Sequence, residues 1–362
     1  MSRRLTPGIF WAGCVVALTA AFASAQSAPF TLSESGSTLI YPIFQMWAQA
    51  YSKAEPTVHI TVAATGSGAG ISQAIAGRVQ IGTSDAYMSD DQAMASPNLL
   101  NIPLAISAQT VDANIPELRG KALKLSGPVL ADIYSGKIRT WDAAPIAQLN
   151  SGLSLPHQTI VPVRRADSSG DTFIFTQFLS FSTPADEEQA GLGWDNTIGY
   201  GTTVNWPSVQ GVLTATGNEG MVQTLARTPY SVGYIGASFE NDASKAGLIA
   251  AMLENQAGNF LLPNADTVTA AATELTPRTP PDERLTLVFA PGANSYPLIN
   301  YEYAIVSAKQ PSPEAASALS NFLLWCISPQ GGSAPSFLDP VHFIALPTAI
   351  RGRSEIQIAK IQ

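Results

Sequence analysis

An α/β fold follows from this sequence on three observations. Strand-like runs alternate with amphipathic helical runs, hydrophobic residues make up 46% of the chain against 13% charged, and Gly- and Pro-rich punctuation separates the runs. Val58-His59-Ile60-Thr61-Val62 alternates at period two. Val79 to Ile81 is a short apolar run before a turn, and Tyr301 to Val306 is a third strand candidate. Between them, Ile40, Ile43, Phe44, Trp47 and Tyr51 recur at helical spacing. Ser312-Pro313-Glu314 opens an Ala/Leu-rich helix to Cys326, with a cap and then a proline in the first turn. Shorter helical patterns cover Ile71 to Gly77 and Phe173 to Leu179. Thr276 to Asp282 and Pro291 to Tyr296 read as loops near domain crossings, and Ser89-Asp90-Asp91-Gln92 reads as a capping box. Trp47, Trp141, Trp206 and Trp325 read as packing residues. At roughly 150 residues per domain, 362 residues fill two domains, and no repeat of 20–50 residues is present.

The first 25 residues set the expected compartment. Arg3 and Arg4 precede an apolar stretch from Ile9 to Phe22, and Ala23-Ser24-Ala25 supplies the small-x-small pattern of a leader cleavage site, so residues 1–25 are expected to be removed after Ala25. Cys14 follows Ala12-Gly13, but Trp11 stands where a lipoprotein acceptor has an aliphatic residue, which argues against lipidation. The mature chain then keeps Cys326 alone, an inert buried thiol in an apolar run, and has no disulfide to offer an oxidising compartment. The formal charge of −8 becomes more negative once Arg3 and Arg4 leave, which argues against nucleic acid and anionic membranes as partners. Any anion must be held by local chemistry.

Three segments supply such chemistry. Ser35-Gly36-Ser37-Thr38, Thr65-Gly66-Ser67-Gly68-Ala69-Gly70 and Asp167-Ser168-Ser169-Gly170-Asp171-Thr172 each put small, hydroxyl-bearing residues before a helical pattern. Helix starts expose unpaired N–H groups and a positive dipole end, and glycine lets an anion approach the backbone. Each start contributes roughly 0.3–1 kcal/mol, whereas micromolar binding needs about 8 kcal/mol, so a full charge must be added. Arg164-Arg165-Ala166-Asp167 supplies it: a guanidinium fork fits a tetrahedral oxyanion, and Asp167 can steady the fork. Ser84-Asp85 follows a strand, at the end where α/β folds place ligands. An acid beside an anion is useful when the anion carries a proton for it to accept.

Gly36-Ser37-Thr38-Leu39-Ile40-Tyr41-Pro42, Gly66-Ser67-Gly68, Gly82-Thr83-Ser84-Asp85-Ala86 and Arg165-Ala166-Asp167-Ser168-Ser169-Gly170-Asp171 resemble, in order and spacing, the ligand loops of PstS-type periplasmic phosphate-binding proteins. Ile133 to Asp142, Gly201 to Pro207 and Ser231 to Ile235 also look like that family, so the resemblance covers most of the mature chain. Ser169-Gly170-Asp171-Thr172 and the run Tyr296 to Tyr303 are especially similar to the actinobacterial branch. The resemblance implies a two-lobed periplasmic-binding-protein fold of type II-like form, with two α/β domains joined by a two-crossing hinge and ligand in the interdomain cleft. The expected lobes are residues 28–105 plus 289–362 and residues 106–288. It further implies a monomeric periplasmic protein without cofactor that delivers phosphate to an inner-membrane phosphate ABC permease and its ATPase.

Residue by residue, the resemblance makes Thr38 and Leu39 donors of hydroxyl and backbone N–H groups, Ser67 a hydroxyl donor and Asp85 the carboxylate acceptor. Arg165, Ser169 and Gly170 match the third-loop guanidinium and donors, and Asp167 matches the acid that steadies the arginine. Asp171 stands where the enteric branch has threonine. Two readings of Asp171 follow: it accepts a second ligand proton, or it pairs with Arg165 while its backbone N–H binds. Phosphate at neutral pH carries a proton for Asp85 whereas sulfate carries none, so rejection of sulfate is expected. Arsenate carries the same protons, and the sequence does not separate it, or a phosphonate, from phosphate.

Enzyme alternatives lack their residues. His59, His157 and His342 are scattered rather than clustered with acids as a metal phosphatase requires, and no G-x-S-x-G elbow is present. A surface or adhesive protein on this fold would have no reason to keep Arg165, Asp85 and the three loops together.

Overall fold

The structure is a computed structural model that describes residues 1–2 and 30–362. The expected leader, with Arg3, Arg4, Cys14 and the cleavage site, lies outside the described residues apart from Met1 and Ser2. Among the described residues no helix is long and apolar enough to cross a membrane.

Twelve strands run in chain order among the described residues: β1 (Phe30–Gly36), β2 (Val58–Thr61), β3 (Ile81–Ser84), β4 (Leu99–Ala113), β5 (Lys124–Leu125), β6 (Val161–Arg165), β7 (Leu213–Ala215), β8 (Ser231–Gly236), β9 (Ile249–Ala250), β10 (Met252–Glu254), β11 (Phe260–Leu261) and β12 (Ile299–Ser307). Nine of them form one sheet in the order β2-β1-β3-β12-β4-β8-β6-β7, with β9 also on β4, while β11-β10-β5 form a small second sheet. β1 is parallel to β2 and to β3. β12 is antiparallel to both β3 and β4, so β4 runs with β3. β8 is antiparallel to β4, and β6 and β7 run with β8. The β1–β3 block and the β6–β8 block therefore point in opposite directions along the strand they share.

That strand decides where a ligand can go. The Leu99–Ala108 part of β4 pairs with β12, and its Gln109–Ala113 part pairs with β8. One block sits on the lower half of β4 and the other on its upper half, so their carboxyl ends meet between them. Open α/β sheets bind ligands at those ends. From Asn101 onward β4 is buried on both faces, which removes the polar alternation that would have marked it as a strand. Tyr303 lies opposite Pro103, and a register shift between Glu302 and Tyr303 accommodates the proline that has no N–H for the ladder.

Helices cover the sheet on their apolar faces. The Tyr41–Ala54 helix has Pro42 in its first turn and buries Ile43, Phe44, Trp47, Ala48 and Tyr51. Phe322 and Trp325, from the Pro313–Ile327 helix, make T-shaped contacts with Phe44 and Tyr51 of that row. Ser312 caps that helix through the Ala315 N–H, and Cys326 is buried within it. Ser89 and Gln92 form the expected capping box. Several boundaries differ from the sequence pattern. The strand expected at Val79–Ile81 starts at Ile81 and runs to Ser84, the helix expected from Ile71 already starts at Ser67, and Thr276–Arg278 forms a short 3-10 turn at the head of its loop. Gly68 and Gly70 sit in the first turns of that helix, and a side chain on Gly70 would strike the backbone of Thr83, Gly36 and Ser35.

Candidate functional site

Four helix starts meet at the carboxyl ends of the strands. After β1 the chain turns through Ser37 and Thr38 into the Tyr41–Ala54 helix, and after β3 it reaches Asp85. The Ser67–Ile75 helix starts beside them. From the other block, β6 ends at Arg165 and leads to the Gly170–Phe181 helix, capped by Ser169 through the Thr172 N–H at 3.4 Å. β7 leads to the Gly217–Arg227 helix, the fourth start. The first-turn N–H groups of Gly170 and Asp171 have no partner within their helix. A side chain on Gly170 would collide with Asp85 Oδ2 and Ser67 Oγ, so the two blocks touch there.

Arg165 is the centre. Its guanidinium is buried and held from several sides: Nε donates to Asp167 Oδ1 at 2.8 Å and Nη2 to Asp167 Oδ2 at 2.5 Å, a bidentate fork. Nη1 donates to Asp171 Oδ2 at 2.5 Å, and Nη2 also reaches Thr38 Oγ1 at 3.3 Å across the cleft. Burial works against the charge on Arg165, but the bonds and charges of Asp167 and Asp171 outweigh it and push its pKa up. Burial likewise opposes the charge on Asp167, yet Arg165 and the Gly217 N–H hold that carboxyl below the usual range.

Asp171 is buried and accepts from Arg165, from Gln109 Nε2 at 3.1 Å and from Asn218 Nδ2 at 2.8 Å. Three protein donors already occupy its carboxylate, a geometry that favours the arginine-pairing alternative. Asp85 is different. It accepts from Ser37 Oγ on Oδ1 and from Ser67 Oγ at 3.1 Å on Oδ2, while its own N–H donates to Ser67 Oγ at 3.2 Å. Burial, then the charge of Asp171, pushes the Asp85 carboxyl up to about 7, against the lowering pull of Ser37, Glu302 and Arg165.

The structure thus gathers the expected residues Thr38, Leu39, Ser67, Asp85, Arg165, Asp167, Ser169, Gly170 and Asp171 around one point, all but Asp167 buried. The Leu39 N–H lies 3.0 Å from Ser37 Oγ, and the Leu39 side chain packs on Gly236 of the other block. Sequence reasoning missed four participants. Asn218 donates to Thr38 Oγ1 from both N–H and Nδ2, at 3.2 and 2.9 Å, and its Oδ1 accepts from the Gly236 N–H at 2.8 Å. Thr216-Gly217-Asn218 has the same hydroxyl-and-glycine signature as the other helix starts, so the signal was present. Ser37 lies in the first loop, where its sequence neighbours give no sign of its partner Asp85. Gln109 and Glu302 lie inside buried strands among other polar residues, so their sequence alone does not mark them. The three histidines are exposed and away from the cleft; His157 pairs with Asp142 at 2.8 Å.

The blocks are latched across the cleft. Gly68 N–H donates to Ser168 O at 3.0 Å and Ser238 Oγ to Leu39 O at 2.7 Å, in addition to the Thr38 bonds. Beside the latch a cavity of about 680 Å³ opens outward past Gly68, Ala86, Tyr87, Phe173, Tyr200 and Arg284.

A buried arginine fork facing convergent helix starts is an oxyanion site, and the similarity of this chain to known proteins agrees with it. The profile of the PBP superfamily domain matches residues 23–330. The phosphate-binding protein PstS of Pasteurella multocida is 33% identical over 90% of this chain and 89% of its own length. The chain belongs to the PstS family. The PstS of Methanocaldococcus jannaschii is also 33% identical, over 95% of this chain and 90% of its own length. A PstS of the actinobacterium Mycobacterium bovis is less similar, 29% identical over 89% of this chain and 84% of its own length, so the finer branch likeness is not carried by these matches. In fold, a high-affinity periplasmic phosphate-binding protein solved with phosphate superposes with a TM-score of 0.66 at 21% identity, covering 89% of this chain and 92% of that one. This PstS-family chain has the two-lobed α/β architecture of the periplasmic binding proteins.

Proposed function

We propose that this protein binds inorganic phosphate between its two lobes and delivers it to an ATP-driven inner-membrane phosphate permease. One observation carries the reading: Arg165, locked by Asp167 and Asp171, faces four helix starts beside an Asp85 carboxyl poised to accept a proton. Phosphate accepts from the Arg165 guanidinium, from the hydroxyls of Thr38 and Ser169, from that of Ser67 once it turns from Asp85, and from the backbone N–H groups of Leu39, Gly170 and Asp171. It donates its own proton to Asp85. Family membership supports the ligand, since the PstS relatives carry phosphate-binding in their names.

The lobes in this proposal are residues 28–105 with 289–362 and residues 106–288, crossing at β4 and again before β12. The return crossing is extended: Pro281 and Glu283 contact the Thr348–Ile358 helix of the first lobe, whereas Asn255 of the second lobe grips Gly292 and Ala293. The protein works as a binding protein rather than an enzyme. Ser67 Oγ is bonded to Asp85 and Ser169 Oγ to the Thr172 N–H, which leaves neither serine the histidine base that nucleophilic catalysis uses. A cleaved leader, a periplasmic location and a monomeric state complete the proposal.

Calorimetric titration of residues 26–362, freed of carried-over ligand by denaturation and refolding, tests it. One-to-one phosphate binding is expected, with sulfate weaker by at least about tenfold because Asp85 would face only lone pairs. Folded protein that ignores phosphate would sink the proposal.

A further inference from the structure

The cluster around Arg165 holds one cation and four carboxyls: Asp167, Asp171, Asp85 and Glu302. A fully ionised set would carry a net negative charge before any anion arrived. Two of the acids are accounted for by Arg165. The other two face each other.

Glu302 reaches Asp85 through the sheet. β12 pairs with β3 as Tyr303 opposite Ser84, the last pair of that ladder, so Glu302 and Asp85 are the next residues along the two chains. The register shift between Glu302 and Tyr303 falls at this point, where bulges re-aim side chains. Asn300 Nδ2 touches both residues, and each carboxyl acts on the protonation of the other. Glu302 Oε1 accepts from Ser107 Oγ at 2.5 Å and Asn300 Nδ2 at 3.0 Å, and Asn300 Nδ2 also lies 3.4 Å from the Asp85 carbonyl oxygen. Glu302 Oε2 is buried with no donor directed to it. Two ionised carboxylates have no hydrogen to share, whereas one proton on Glu302 gives Oε2 an acceptor in Asp85. Burial and the Asp85 charge both raise the Glu302 pKa, the direction that keeps that proton in place.

We propose that Glu302 stays protonated and donates a hydrogen bond to Asp85, fixing Asp85 as the ionised acceptor that chooses a protonated oxyanion. Glu302 is a positioning residue, and the proposal rests on phosphate being the ligand. The titratable groups around the pair are Asp171 and Arg165. Without the donor, Asp85 takes a proton itself, stops demanding one from the ligand and can donate to sulfate.

The test compares wild type, Glu302→Ala and Glu302→Gln for phosphate and sulfate affinity between pH 5.5 and pH 8.5. In E302A the preference for phosphate over sulfate is expected to fall by about tenfold or more, the cost of one unmade bond to a buried charged group. E302Q, whose amide donates as the acid does, is expected to restore that preference and the wild-type pH profile. An E302A with unchanged preference and profile overturns the proposal, and so does an E302Q that behaves like E302A. Carbon-13 NMR of glutamate carboxyls keeps the proposal open to refutation if a variant misfolds or wild type ignores phosphate: a carboxyl protonated at pH 7 in wild type, assigned by its absence in E302Q, is expected. An ionised Glu302 there overturns the proposal, whatever the ligand.

Discussion

Arg165 makes its bonds in one plane, and no other side chain could make them together. A lysine at this position keeps the charge but offers no fork, so it cannot hold Asp167 bidentately while reaching Asp171 and Thr38. Arg165→Lys is expected to weaken phosphate binding by about a hundredfold, since losing a desolvated hydrogen-bonded charge contact costs on the order of 2–5 kcal/mol; calorimetry reads it directly. Asn218 has a smaller task. It ties Thr38 to Asp171 across the cleft, and Asn218→Ala is expected to cost about tenfold in affinity through two or three lost bonds in the closed form. An Asn218→Ala protein with wild-type affinity would mean that the tie does not contribute to closure.

Helix starts carry the closing geometry. Gly170 opens its helix against Asp85 and Ser67 with no space for a methyl group, so Gly170→Ala is expected to hold the lobes apart. Small-angle scattering should then find the same dimensions with and without phosphate, and affinity should fall by about tenfold or more, the price of about 1.4 kcal/mol of prevented closure. The same elements mark what could be read in the chain beforehand. Three starts were legible because hydroxyls and glycines precede an apolar helical pattern, and Arg165, Asp167 and Asp85 were legible from their places beside them. Glu302 and Gln109 were not, because each lies in a buried strand beside other polar residues, Asn300 in one and Ser107, Thr110 and Asp112 in the other, with nothing to single it out. β4 escaped as well: burial on both faces erased its period, leaving Leu99–Ala113 without a strand signature. Asp171 was legible as a site residue but its partner was not, since only the fold brings Arg165, Gln109 and Asn218 to one carboxylate.

The whole molecule stores protons. Burial pushes Glu34 and Glu283 up to about 8 and Asp112 up to about 7, each the leading cause at its position. These carboxyls keep protons in the folded chain that ordinary carboxyls have released in the unfolded one. Their contribution to stability is complete below the unfolded values near 4 and is lost as pH rises through the folded values. Asp167 has the opposite sign, but its contribution is lost only below the ordinary carboxylate range. The melting temperature of the ligand-free protein is therefore expected to fall steadily from pH 5 to pH 8.5 in differential scanning calorimetry; a flat profile would mean these acids are ionised in the fold.

The sheet also imposes an order of assembly. β12, at residues 299–307, is inserted between β3 and β4, which are neighbours in sequence. The seam down the middle of the sheet can close only when the last fifth of the chain is available. A polypeptide emerging from a ribosome has thus made all three of β1, β2 and β3 long before it can stitch them to β4. Such a nascent chain stays unfinished until nearly complete. Long-range pairing of this kind also slows folding, so the delay is written into the topology itself.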